Sequence, residues 1–146
     1  MKENIENASI NNIVILGSTG SIGKQALEVV DKHPQRFRVI ALSARDEVPL
    51  LQEQVQKYNP LAVAVSDSKA YLQLKEGIGD QCRVVESIEG MCELCSLPQV
   101  DTVLVAVSGA VGIKPTLAAI KAHKRIALAN KETLVAAGDI VMRSAR

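Results

Sequence analysis

Three glycines at intervals of three, in G-S-T-G-S-I-G at residues 17–23, follow directly on the apolar run N-I-V-I-L. A strand that enters such a loop and leaves it as a helix is built to hold a phosphate. Gly17 would permit the tight turn off the strand, Gly20 would let backbone approach a pyrophosphate, and Gly23 would allow helix and strand to pack closely. The helix that follows presents unpaired N–H groups and the positive end of its dipole to an anion. The usual dinucleotide fingerprint is G-x-G-x-x-G; here Ser18 and Thr19 interrupt it, and with Ser21 they are expected to add hydroxyl donors. A glycine-rich turn with no ligand remains the plain alternative.

Two further places could complete a nucleotide site. At the end of the second expected strand stand Ala44, Arg45 and Asp46. At that position an acidic residue binds a ribose 2′-hydroxyl, whereas Arg accommodates a 2′-phosphate. Arg45 can pair with a phosphate or stack on adenine. Asp46 would repel the phosphate if it pointed inward, but could instead cap the next helix. The pair leans only slightly to NADP, and a solvated surface pair stays open. Residues 129–135, A-N-K-E-T-L-V, join the last expected strand to the last helix. Asn130 suits an N-cap and Glu132 suits a helix N-terminus, while Lys131 opposes the helix dipole and could reach an anionic substrate. S-G-A-V-G at 108–112 fits a close approach to cofactor or an ordinary turn equally well.

Other reactive residue types do not assemble into a site. Cys92 and Cys95 form a C-x-x-C, but within a helical stretch, where small apolar core positions are the better reading. His33 and His123 sit near helix ends without a triad or ligand partner nearby. No metal cluster or catalytic dyad is expected in this chain.

These residues must be placed by alternating strands and helices. Strands are expected at Asn12–Leu16, Arg38–Ala44, Leu61–Ser66, Arg83–Glu86, Val100–Ser108 and Arg125–Ala129. Helices are expected over Ser21–His33, with Ile22, Ala26, Val29 and Val30 at helical spacing, and over Val48–Tyr58, Ser68–Glu76 and Ile88–Cys95. Another should run from Pro115 to His123, and a last one from Lys131. Such alternation implies an α/β fold of Rossmann type: a doubly wound, mostly parallel sheet with helices on both faces.

The chain's 146 residues suffice for one domain, at 11–146, behind a polar tail at 1–10. Apolar residues at 47% and charged residues at 23% fit an ordinary globular balance. A formal net charge of +1 and a near absence of aromatics give no footprint for nucleic acid or anionic membrane. No leader pattern is visible, and three cysteines fit free thiols, so a cytoplasmic setting is expected. The last expected helix lacks a stop signal before Arg146, which reads as the truncation of a longer protein. On these residues alone, another Rossmann NAD(P) reductase or a non-catalytic nucleotide-binding module remains open.

Taken together, G-S-T-G-S-I-G at 17–23 and A-N-K-E-T-L-V at 129–135 resemble the 1-deoxy-D-xylulose 5-phosphate reductoisomerase family. H-P-Q-R-F-R-V-I-A-L at 33–42, Y-N-P at 58–60 and S-G-A-V-G-I-K-P-T-L-A-A-I at 108–120 extend the resemblance over nearly all of the chain after its tail. It implies an NADPH-dependent enzyme that converts 1-deoxy-D-xylulose 5-phosphate to 2-C-methyl-D-erythritol 4-phosphate for isoprenoid synthesis. Thr19, Gly20, Ser21 and Ile22 would hold the NADPH phosphates, and Ala44, Arg45 and Asp46 would lie at the 2′-phosphate. Asn130 and Glu132 would touch the cofactor near its reactive end, and Lys131 would contact the phosphosugar substrate. Mg²⁺ or Mn²⁺ and a homodimer are implied for the full-length enzyme. The chain stops short of the family's acidic metal motif, so its catalytic and C-terminal domains are expected to be absent and the fragment inactive by itself. Where the family has Gly, a basic residue and Asn after the second strand, Ala44 and Asp46 depart from the pattern.

Overall fold

The computed structural model describes residues 10–107 and 109–128. From β1 (Asn11–Leu16) the glycine loop leads to α1 (Ser21–Lys32) and β2 (Phe37–Ala44). Next come α2 (Val48–Tyr58), β3 (Ala62–Val65), α3 (Ser68–Ile78), β4 (Arg83–Glu86), α4 (Ser87–Cys95) and β5 (Thr102–Val105). A 3-10 turn at Gly109–Gly112 precedes α5 (Ile113–Lys121) and β6 (Arg125–Leu128). The helix expected from Lys131 lies outside the described residues.

All described strand pairs are parallel, in the order β4-β3-β2-β1-β5-β6. The chain therefore winds outward from β1 to β4, then returns to the other side of β1 for β5 and β6. The helices of the two halves lie on opposite faces, as right-handed crossovers require. Ile13 and Ile15 of β1 share a core with Leu27 of α1, Leu51 of α2 and Leu74 of α3. Val14 and Leu16 instead join Met91 and Leu94 of α4 and Ala119 of α5. Burial on both faces explains the near-continuous apolar character of the central strands. Among the described strands only β2 breaks the alternation. Ile13 pairs with Val39 but Val14 with Ala41, so Ile40 is an inserted bulge residue, and Ile40 and Ala41 both fall in the α4–α5 core.

Three expectations need correcting. The buried stripe of α1 is Gly23, Leu27 and Val30, whereas Ile22 and Val29 are 44% and 50% exposed. The stripe is rotated because Gly23, having no side chain, is itself a packing surface. β5 is shorter than the apolar run suggests: Thr102–Val105 pairs with Ile13–Leu16, and the ladder ends where β1 turns away at Gly17. α5 begins at Ile113 rather than Pro115, which still lies in the first turn, where a missing N–H removes no helical bond.

The two cysteines of α4 are packing residues. Cys95 is fully buried, and burial, helped by the nearby Cys92, pushes its thiol up to about 12. Cys92 and Cys82 are half-buried and also raised, mainly by burial. At a pKa near 12 only about one Cys95 in ten thousand is thiolate at pH 8. Iodoacetamide at pH 8 should therefore modify Cys82 and Cys92 slowly and Cys95 only after denaturation. Peptide mapping of native labelled protein checks this, and Cys95 keeping pace with Cys92 would contradict its place in the core.

Candidate nucleotide-binding site

The carboxyl ends of β1, β2, β3 and β5 enclose a cavity of about 350 Å³. It lies where the winding direction reverses between β1 and β5, the place where open α/β sheets bind ligands. Gly17, Thr19 and Gly20 line it from the loop. Ser43 and Ala44 at the end of β2 line it, with Arg45 and Glu47 just beyond, and Ser66 beyond β3. Ala106, Val107 and Val111 close the β5 side, with Met91 reaching in from α4.

The glycines of the loop answer three different demands. Gly17 has φ +85°, and a Cβ there would stand 2.7 Å from the Ala106 carbonyl oxygen. A Cβ on Gly23 would stand 2.2 Å from the Gly17 oxygen and 2.7 Å from the Ser18 Cα. Both are thus required by the fold itself. Gly20 differs: its φ of −80° and ψ of 175° suit any residue, and a Cβ would meet only the Gly17 oxygen, at 3.7 Å. The fold makes no demand for glycine at 20, while the cavity it lines gains the space a side chain would fill. Gly20 is also the N-cap of α1, without a side-chain cap and with no acidic residue in the first turn. The amide groups of Ser21, Ile22 and Gly23 stand at that open helix end.

Ser18 has a different role from the one its sequence suggests. It is completely buried. Its hydroxyl donates to Gln54 Oε1 of α2 at 2.7 Å, and Gln54 Nε2 donates back to the Ser18 carbonyl at 2.9 Å. The Gly17 and Ser18 amides both donate to the Ser43 carbonyl, at 3.0 and 2.9 Å, and Gly17 N–H also reaches Ser43 Oγ at 3.1 Å. Ser18 is therefore a tether for the loop and not a donor to a ligand. Gln54 and Ser43 escaped sequence reading because the partners lie 36 and 25 residues from Ser18.

Of the residues expected in a site, Thr19, Gly20, Ala44 and Arg45 line the cavity together. Ser21 and Ile22 lie on the exposed side of the helix start and do not line it. Asp46 is exposed and outside the lining, and it does not cap α2 with its side chain; the N-cap is Glu47. The Asp46 carbonyl instead accepts the Val48 N–H at 2.9 Å in a tight turn, which brings Glu47 to the rim. Pro49, near the helix start, was the available signal for that N-cap. Asn130, Lys131 and Glu132, with Ser108, lie outside the described residues. Among the described residues no group of three His, Cys, Asp or Glu side chains could hold a metal ion.

The sequence model of 1-deoxy-D-xylulose 5-phosphate reductoisomerase matches residues 13–138, most of the chain. This chain belongs to that family. A reductoisomerase from Bacteroides fragilis is 47% identical over 135 residues, which are 92% of this chain and 35% of that protein. The crystal structure of DOX-P reductoisomerase with NADPH, fosmidomycin and magnesium superposes with a TM-score of 0.89 at 40% identity, covering 93% of this chain and 34% of that one. The Zymomonas mobilis reductoisomerase in complex with NADPH gives 0.88 at 32% identity, covering 94% of this chain and 36% of that one. The chain thus spans about a third of the length of these reductoisomerases. Family membership removes the reading as an unrelated Rossmann reductase, and the superposition shows the same Rossmann-type fold.

Proposed function

We propose that this chain is the NADPH-binding part of a 1-deoxy-D-xylulose 5-phosphate reductoisomerase, the enzyme that yields 2-C-methyl-D-erythritol 4-phosphate. The observation that carries the reading is the cavity at the switch point, where the glycine loop and Arg45 share one space. NADPH-complexed members of the family share this fold over nearly the whole chain.

NADPH fits the residues present because Gly20 leaves room for a diphosphate at an uncapped helix end. Bound there, it supplies the hydride for the reductive half of the reaction. Gly20 and the first-turn amides would bind the diphosphate, with the Thr19 hydroxyl beside it. Arg45 would pair with the adenosine 2′-phosphate through its planar guanidinium. Val107, Val111 and Met91 would exclude water from the β5 side. Asn130 and Glu132 would orient the cofactor's reactive end, and Lys131 would hold the phosphosugar. Mg²⁺ or Mn²⁺ belongs in this reading to the full-length enzyme, as in the magnesium-bound reductoisomerase structure. A reducing, cytoplasmic setting and a homodimer of the full-length enzyme complete the proposal.

Calorimetric titration of the chain with NADPH and with NADH tests the assignment. Arg45→Ala should weaken NADPH by roughly ten- to a hundredfold, the range of one charge-assisted hydrogen-bonded contact, and leave NADH nearly unchanged. Equal losses for both would place Arg45 on the adenine ring instead. Absence of NADPH binding by the unaltered chain would refute the reading.

A further inference from the structure

The β2 side of the cavity carries two charges of opposite sign. Arg45 and Glu47 both line it, and Asp46 between them does not. The local backbone accounts for the alternation. The Arg45 carbonyl accepts the Asp67 N–H at 3.1 Å, and the Asp46 carbonyl accepts the Val48 N–H at 2.9 Å, so the chain turns sharply at 46. Glu47 then takes the N-cap position of α2, where its carbonyl accepts the Leu51 N–H at 3.0 Å. Its side chain makes no capping bond, and among the described residues neither Glu47 nor Arg45 is in an ion pair. The positive end of α2 favours a carboxylate at this point.

We infer that Glu47 is a specificity-determining residue that narrows this cavity's preference for NADPH over NADH. The inference rests on the dinucleotide reading given above. A 2′-phosphate is drawn by Arg45 and repelled by Glu47. A 2′-hydroxyl loses the first attraction but gains a carboxylate acceptor, the arrangement by which Rossmann sites bind NAD. The two charges therefore act in opposite directions on the same discrimination, and Asp46 acts on neither side of it.

Glu47→Gln removes the repulsion and keeps an acceptor for the hydroxyl. In water a doubly charged phosphate and a single carboxylate repel by on the order of 1 kcal/mol at close range, which corresponds to about a tenfold effect. The variant should accordingly bind NADPH about tenfold more tightly and NADH no better than the unaltered chain. The gain in ratio should shrink as salt is raised, because exposed charges are screened. Asp46→Asn should leave the ratio unchanged, and both variants should stay within about 3 °C of the parent Tm, since a carboxylate at a helix N-terminus is worth less than about 1 kcal/mol. A constant NADPH:NADH ratio in Glu47→Gln, with NADPH still bound, overturns the inference while sparing the dinucleotide assignment. An equal change in Asp46→Asn also overturns it. Failure of the unaltered chain to bind either dinucleotide removes both.

Discussion

Gly23→Ala should lower the thermal midpoint of the domain by on the order of 10 °C, a loss of roughly 3 kcal/mol. In an ordinary helix interior the same change would be worth up to about 1 kcal/mol in the opposite direction. Here the added methyl would sit 2.2 Å from a backbone oxygen and 2.7 Å from a backbone Cα, and neither can yield as a flexible side chain does. α1 must lift off β1, which opens the contacts of Leu27 and Val30 with the core. Gly17→Ala should act similarly, through positive φ and the Ala106 carbonyl. Thermal unfolding followed by circular dichroism measures both. A Tm within 2 or 3 °C of the parent, less than about 1 kcal/mol for a domain of this size, would mean that the loop packs less closely than described.

Gly20→Ala should give the opposite profile. Stability should change by less than about 1 kcal/mol, because the position is an N-cap with ordinary backbone angles and open space at the missing Cβ. NADPH affinity should fall about a hundredfold, since the methyl would hold the diphosphate away from the helix amides and weaken charge-assisted hydrogen bonds. The pair of substitutions separates glycine needed by the fold from glycine needed by a ligand, three residues apart. Undiminished affinity in Gly20→Ala would place the diphosphate elsewhere.

What was legible in the sequence follows from which forces are local. The span of α2 and the run of β4 were readable because breakers and apolar runs bound them closely. The α1 stripe is not readable from hydropathy, which counts side chains, because Gly23 packs through having none. A serine beside glycines suggests exposure, whereas the burial of Ser18 depends on a glutamine in the next helix. In the site, the glycine loop and Arg45 announced themselves by residue type. Ser66 and Met91 did not, because their place depends on strand order and on which face α4 covers. Residue type does not separate Glu47 from Asp46, because one tight turn decides which of two adjacent carboxylates meets the cavity.

The tether from Ser18 to Ser43 and Gln54 bears on the thermodynamics of recognition. A loop that closed only around its ligand would give up backbone freedom at that moment, about 1 kcal/mol or more for each residue immobilised. This loop is held from behind by β2 and α2, so that loss occurs when the domain folds. Its amides already stand in place when an anion arrives, and the entropy of binding need not include the ordering of the loop.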